Sequence, residues 1–327
     1  MIGIGILGAA GIAPAAIIQP ASRRDDVVVR AVASRSRESA ERYAQRFSIE
    51  RAYGDYASLL LDPDVNLVYV ALPPSEHADW SIAALEAGKD VLCEKPFAMD
   101  AAQARRMRQA ADSTGRRLIE AFHDRYHPLS QELDLLKSDG RIGDIISLDA
   151  VFWGPNAYDP DALRHKPQLG GGSLMDLGCY PVHWVRALMQ EEPIVTSARA
   201  VLNPIGADQR MEATLEFASG ATASISSNMA EGVTMKNFLD IVGTRATVHV
   251  HNLVFPSQGH SICEESSGVM REWTVRGATT YDHQLDAVVR GLESGEPLLT
   301  EGEDSVANMV LIDAIYAEAG IQRALDD

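Results

Sequence analysis

The sequence predicts an α/β protein in two parts. Residues 1–121 alternate apolar, strand-like runs with helical segments, the pattern of a doubly wound parallel sheet. Residues 122–327 hold a succession of strand-like runs with hairpin signals and few helices, the pattern of a mostly antiparallel sheet in an α+β domain. A third observation sets the working edge of the first part. Gly8 and Pro96 punctuate the chain where two of its strands end, and open α/β sheets bind ligands at the carboxyl ends of their strands.

The first strand is Ile2–Leu7, followed by Gly8-Ala9-Ala10-Gly11-Ile12-Ala13 and a helix to about residue 21. The spacing is that of the dinucleotide fingerprint GxGxxG/A, with Ala10 in the place of the second glycine. Gly8 permits the tight turn. The chain at Gly11 and Ile12 enters a helix whose first N–H groups can face a pyrophosphate. The competing reading is an ordinary strand–helix turn. Residues 1–22 carry no charge, yet they lack the positive n-region of a signal peptide. Gly3, Gly5, Gly8, Gly11 and Pro14 also interrupt any continuous membrane helix.

Val27–Ala33 is a second apolar strand, and Ser34-Arg35-Ser36-Arg37 follows it. An NAD enzyme usually places a carboxylate here for the ribose hydroxyls. This chain places none. Ser34 and Arg35 offer donors to a 2′-phosphate, which a guanidinium matches in bidentate fashion, so NADP(H) is expected in preference to NAD(H). A helix over 38–47, a strand over 67–72, a helix over 77–87, a strand over 91–93, a helix over 101–113 and a strand over 118–121 complete the alternation. The stretch GKDVLCEKPFAMD, residues 88–100, is the centre of this part. Val91, Leu92 and Cys93 suit a strand buried on both faces. Pro96 cannot donate to a ladder and ends it, so Lys95 stands at the carboxyl edge of the sheet. An ammonium there is either a solvated charge or a group placed for chemistry.

In the second part a helix is expected over 128–139, and strands over 145–153, 194–201, 211–217, 221–228, 238–242 and 247–251, with turns at Ser219-Gly220 and Gly243-Thr244. Helices over 281–292 and 303–324 close the chain. Within 211–228 one face collects Ala213, Leu215, Phe217, Ala221, Ala223 and Ile225. The other collects Thr214, Glu216, Thr222, Ser224 and Ser226. The informative stretch is GGGSLMDLGCYPVHW, residues 170–184. Asp176 and Tyr180 are four apart and share one face of a helix. Each also has an ordinary explanation, a helix cap for the aspartate and a half-buried core position for the tyrosine.

Composition narrows the class. The net charge of −17 argues against a nucleic-acid partner. Arg105, Arg106, Arg108, Arg116 and Arg117 alternate with alanines and read as a solvated helical face. Cys93, Cys179 and Cys263 form no CxxC or zinc spacing, which suits a reducing cytoplasm. His249, His251 and His260 have no carboxylate cluster to complete a metal site.

CEKPFAMD, GILGAAGIA, EAFHDRYHP and GGGSLMDLGCY together resemble the glucose–fructose oxidoreductase / inositol dehydrogenase / MocA family of NAD(P)-dependent oxidoreductases, and YDHQLDAVVRGLESGEP extends the likeness over the whole chain. EKP combined with GGG..MD.G.Y at this separation is specific, whereas no single motif is. The resemblance implies an N-terminal Rossmann domain, a second domain with a large open sheet, and an active site in the cleft between them. It implies a place for Lys95 beside nicotinamide and substrate, a cis Lys95–Pro96 bond, and cofactor contacts at Leu72, Pro73, His77 and Glu94. Two departures stand out. Tyr180 and His183 stand where many members have the histidine of DxGxH and an aspartate three residues after it. Pro74 stands where related chains often have asparagine. The tyrosine resembles the branch of xylose dehydrogenase, dihydrodiol dehydrogenase and ketosugar reductases and argues against an inositol dehydrogenase.

The chemistry implied is hydride transfer at a hydroxyl or carbonyl carbon, which needs a group to take or give the oxygen's proton. Tyr180 can do so if a nearby ammonium lowers its pKa, and Lys95 can supply that charge. Asp176 orients substrate or lysine. Arg164 and His183 are further candidates for substrate contact, against ordinary loop and helix roles. The expectation is an NADP(H)-dependent oxidoreductase of a pyranose, ketosugar or polyol, assembled as a homodimer or homotetramer through the small polar sheet face, with no metal, nucleic acid or membrane. The competing readings are a non-catalytic dinucleotide sensor and a redox-neutral, NAD-dependent glycoside hydrolase.

Overall fold

The computed structural model describes residues 1–323. Strands β1 (Ile2–Leu7), β2 (Val27–Ala33), β3 (Arg51–Tyr53), β4 (Leu67–Val70), β5 (Asp90–Cys93) and β6 (Leu118–Glu120) form one parallel sheet in the order β3-β2-β1-β4-β5-β6. Helices α1 (Gln19–Ser22), α2 (Arg37–Phe47), α3 (Tyr56–Leu60), α4 (Pro74–Glu86) and α5 (Ala101–Thr114) connect them. Local chemistry sets the helix starts. Ser36, Asp55 and Asp100 cap α2, α3 and α5 by accepting from the N–H of the residue three positions on. α4 begins at Pro74, three residues earlier than expected, because the first helical position has no N–H bond to lose to proline.

Strand order reverses between β1 and β4, the switch point of a doubly wound sheet. β3 and α3 are absent from the sequence reading. β3 is three residues long and half-buried throughout, so it shows neither alternation nor an apolar run. Ile4, Ile6, Ile17, Tyr69, Leu92 and Ile119 form the core of this sheet together with Leu285 and Val288 of the helix Thr280–Ser294. Each such fully buried aliphatic side chain contributes about 1.5–3 kcal/mol relative to exposure. By packing, the first unit is therefore Met1–His123 with Tyr281–Val306, and the second is Asp124–Thr280 with the chain from Ala307. A single division at 121/122 assigns residues 281–306 to the second part. An amphipathic helix announces that one face is covered, not which sheet covers it.

The second unit holds α6 (Pro128–Ser138), β7 (Ile145–Trp153), a π-helical turn Leu174–Gly178 leading into α7 (Cys179–Met189), and strands β8 (Ile194–Leu202), β9 (Asp208–Glu216), β10 (Thr222–Asn228), β11 (Lys236–Gly243), β12 (Thr247–His251), β13 (Ser261–Ser266) and β14 (Val269–Trp273). They form one sheet, β14-β13-β12-β11-β7-β10-β9-β8, in which only β7 and β10 pair in parallel. The β13–β14 hairpin is an addition to the sequence reading. β14 is an almost fully exposed edge strand without apolar alternation, and its turn, Ser267-Gly268, has positive φ at both residues. α7 packs over β7 and β10, on the face where Ala213, Leu215, Ala223 and Ile225 are buried. On the other face Thr214, Glu216, Thr222 and Ser224 are exposed. The helix expected over 303–324 is Glu303–Glu318, and residue 324 lies outside the described residues. Among the described residues no helix is long and apolar enough to cross a membrane.

Candidate active site

In the first unit the candidate residues gather at the carboxyl ends of β1, β2, β4 and β5. Gly8 has φ +103°, and a Cβ there would stand 2.5 Å from the carbonyl oxygen of Ala71. Its N–H donates to the Ala33 carbonyl at 2.9 Å, which ties the turn to β2. Only glycine lets the chain turn this closely over β4. The Ala10 carbonyl accepts from the Tyr43 hydroxyl at 2.8 Å, so the turn is braced by α2. Gly11 and Ile12 are exposed, and no atom lies within 4 Å of where a Gly11 Cβ would be. The chain beyond them enters a π-helical turn, Pro14–Ile18, that continues as α1.

At the end of β2, Arg37 pairs with Glu41 at 2.8 Å. Arg35 is exposed and has no hydrogen bond or ion pair within the described residues. Ser34 is half-buried, and its N–H donates to the Tyr53 carbonyl at 3.2 Å. The stretch that follows β2, Ser34-Arg35-Ser36-Arg37, holds no carboxylate. Leu72 and Pro73 are half-exposed in the loop after β4. His77 is fully buried and braces that loop against the next strand end. Its Nε2 faces the Leu72 carbonyl oxygen at 2.9 Å and its Nδ1 faces that of Pro96 at 3.0 Å.

The Lys95–Pro96 bond is cis. Glu94 is buried beside it, and the Tyr69 hydroxyl donates to its carboxylate. Burial pushes the Glu94 carboxyl above its ordinary range, against the pull of that hydroxyl and of Lys95. Two histidines feel the charge of Lys95. Burial, with Lys95 as the smallest contribution, pushes His77 down to about 4. Burial and then Lys95 push His123 down to about 3. His123, absent from the candidates read in sequence, follows β6 and packs on Tyr281 with ring centroids 4.1 Å apart. Both imidazoles are therefore neutral at ordinary pH, which leaves Lys95 as the cation among these three groups.

In the second unit, Asp176 lies in the π-helical turn and Tyr180 at the start of α7. Asp176 Oδ2 pairs with Arg164 Nε at 3.0 Å, so two of the expected residues are neighbours. Tyr180 is 3% exposed and packs edge-on against Phe152 at 5.6 Å. His183 follows Tyr180 in α7. With Trp184 and Asp124 it lines a cavity of about 30 Å³, and Trp184 Nε1 donates to Asp124 Oδ2 at 2.7 Å. Burial raises the Asp124 carboxyl, with the charge of His183 opposing it first.

Packing explains three of the four glycines in residues 170–184. A Cβ on Gly171 would stand 2.7 Å from the Leu163 carbonyl oxygen. Gly172, at φ +131°, has room only for hydrogen, because a Cβ would lie 2.2 Å from Asp208 Oδ1. Gly178 is likewise pressed on β10, where its Cβ would meet Ser227 Oγ at 2.9 Å. The glycines thus hold the segment of Asp176 and Tyr180 down on the sheet and against the loop of Arg164. Among the described residues no group of three or more His, Cys, Asp or Glu side chains is placed to hold a metal ion.

Comparison with known proteins gives the family to which the chain is similar. Residues 2–122 match the family described as oxidoreductase family, NAD-binding Rossmann fold, and residues 131–249 match the GFO/IDH/MocA C-terminal domain. The chain is 34% identical to D-xylose 1-dehydrogenase (NADP(+)) 2 of Haloferax volcanii over 98% of this chain and 99% of that protein. It is 36% identical to trans-1,2-dihydrobenzene-1,2-diol dehydrogenase of Xenopus laevis over 70% and 69%. Among solved structures, a 3-ketoreductase from Actinomadura kijaniata, in complex with NADP and TDP-benzene, superposes with a TM-score of 0.89 at 27% identity, covering 97% of each chain. Aldose-aldose oxidoreductase from Caulobacter crescentus superposes with a TM-score of 0.90 at 26% identity, covering 98% of this chain and 97% of that one.

Proposed function

Since the chain belongs to the GFO/IDH/MocA oxidoreductase family and is an NAD(P)-dependent enzyme, we propose that it uses NADP(H) to oxidise or reduce a hydroxyl or carbonyl carbon of a sugar, a pyranose or ketosugar, or of a related polyol. The observation that carries the cofactor choice is Arg35, an exposed guanidinium with no hydrogen bond or ion pair among the described residues, in the Ser34–Arg37 stretch after β2 that holds no carboxylate. The relatives named above, which include an NADP(+) xylose dehydrogenase and a ketoreductase bound to NADP, support both the cofactor and the substrate class.

The residues at hand fit a dinucleotide. The close turn at Gly8, the open space at Gly11 and the helix entered through Ile12 receive the pyrophosphate, with Ala10 beside it. Ser34 and Arg35 take the 2′-phosphate. Leu72 and Pro73 border the cofactor, and His77 and Glu94 hold the loops that do so. When bound, the nicotinamide supplies or accepts the hydride. Tyr180 gives or takes the proton of the substrate oxygen. Lys95 supplies the positive charge that brings the phenol's pKa down and donates to the same oxygen. Asp176, oriented by Arg164, binds substrate hydroxyls. Arg164 completes that end, and His183 is a further candidate for substrate contact.

The test follows NADPH absorbance over a panel of aldoses and ketosugars that includes D-xylose, with Arg35→Asp beside the wild type. Arg35→Asp is expected to weaken NADPH by about tenfold or more, the scale of a lost charge-assisted contact, and to leave NADH nearly unchanged. A wild type that prefers NADH, or a variant that weakens both cofactors equally, overturns the assignment.

The same reading extends to assembly. The exposed small polar face of β9 and β10 is flat, and Trp153 on neighbouring β7 carries Lys236 over its ring at 4.1 Å. A homodimer or homotetramer built across this face, with two-fold symmetry, is expected. Light scattering at micromolar concentration should return at least twice the chain mass, and a monomer mass counts against it.

A further inference from the structure

We propose that Asp208 is a positioning residue of this enzyme: from the start of β9 it fixes the turn that carries Asp176 and Tyr180. The inference rests on the reading of those two residues as the substrate-side pair. Asp208 is 2% exposed. Its Oδ2 accepts from Ser173 Oγ at 2.8 Å and from the Leu174 N–H at 2.8 Å, and its Oδ1 accepts from the Tyr316 hydroxyl at 2.7 Å. Leu174 opens the π-helical turn, so this N–H is one of the donors a helix start leaves without an intrahelical partner. A local cap would come from Ser173, but that side chain makes no cap bond and donates to Asp208 instead. A carboxylate distant in sequence therefore does the capping, and its charge suits a helix N-terminus.

Two more contacts tie Asp208 to the candidate residues. Gly172 lies so close to Asp208 Oδ1 that a Cβ would stand 2.2 Å from it, and the Gly172 N–H donates to the Arg164 carbonyl at 2.9 Å. Arg164 is the residue that pairs with Asp176 at 3.0 Å. One carboxylate thus anchors both the turn and the loop that meet at Asp176. A π-turn carries one residue more than the α-helical path, and one residue is about 100° of rotation in a helix. If the turn relaxed to α-helix, Asp176 would rotate relative to α7 and lose the register that sets it against Arg164.

The experiment compares Asp208→Ala and Asp208→Asn with the wild type on the best sugar of the panel, with Tyr180→Phe in parallel. Asparagine keeps an oxygen for Ser173 and Leu174 and offers an N–H to the Tyr316 oxygen. Asp208→Ala is expected to lower kcat about 10–100-fold, the range by which loss of an orienting partner weakens a site. It should shift the tyrosine limb of the pH–kcat profile and leave the NADPH Kd within about twofold, because the dinucleotide turn belongs to the first unit. Asp208→Asn should recover most of kcat and the wild-type pH profile. A folded alanine variant with wild-type kcat and pH profile overturns the proposal, and so does an equal loss of NADPH binding and kcat in both variants. If the alanine variant does not fold, Tyr316→Phe removes a single donor and should still lower kcat severalfold, with an unchanged kcat counting against the proposal. Tyr180→Phe at the wild-type rate defeats the underlying reading. An inactive Tyr180→Phe beside a fully active Asp208→Ala defeats only this inference.

Discussion

Tyr180→Phe should lower kcat by about 10²–10⁴-fold, the range that general acid–base catalysis supplies, and leave NADPH affinity almost unchanged. The expectation of separable effects follows from the fold. Gly8, Arg35 and the other dinucleotide residues lie in the first unit, whereas Tyr180 begins α7 in the second. Removing one phenolic oxygen also leaves the packing of the ring on Phe152 in place, so the variant should fold. Lys95→Ala should cost at least as much, since on the reading proposed above it removes the charge that tunes the phenol. The double variant should lose less than the product of the two single losses, because groups that act as one unit are not additive. Fluorescence titration with NADPH beside steady-state rates reads all four proteins. Wild-type turnover by Tyr180→Phe would make Tyr180 a core residue and the mechanism wrong. Tight NADPH binding with no turnover of any sugar by the wild type would favour a dinucleotide sensor.

Much of the candidate site is legible in the amino-acid order because backbone constraints announce it. Lys95 is marked by an apolar run that a proline stops, and the strand it follows, Asp90–Cys93, lies where that reasoning puts it. The turn at Gly8 is marked by a glycine that its φ of +103° requires. What escapes is whatever depends on a partner far along the chain. Asp208 is one carboxylate among 46 acidic residues until the structure sets it against Ser173, Leu174 and Gly172. His123 carries no local signature, since its neutrality comes from burial under Tyr281 and from Lys95. Arg164 and Asp176 can each be suspected alone, but the eleven residues between them hide their pairing. The helix Thr280–Ser294 shows an apolar stripe, yet its return to the first sheet is a tertiary choice between two available cores.

The two neutral histidines beside Lys95 give the largest expected effect on stability, and it is a dependence on pH. An unfolded chain protonates histidine near 6.5, whereas folded His77 waits until about 4 and folded His123 until about 3. Folded-state values pushed down in this way contribute stability that is present above pH 6.5. It is lost as pH falls from 6.5 to about 4 for His77 and to about 3 for His123. In that window each histidine lowers unfolding free energy by about 1.4 kcal/mol per pH unit. Together they reach several kcal/mol, comparable with the whole stability of a domain. The raised carboxyls of Glu94, Asp124 and Asp208 act in the opposite sense, because the folded state binds their protons first as pH falls. The histidine contribution is therefore isolated by difference. In urea unfolding, the stability gap between wild type and His123→Gln should shrink by about 1.4 kcal/mol per unit as pH falls from 6 to 4. Lys95→Met should diminish that effect, since removing the ammonium lets folded His123 protonate at higher pH. A gap that stays constant over this range, or a His123 ring signal that titrates near 6.5 by NMR, would show that His123 is not held neutral and that Lys95 is not its neighbour in charge.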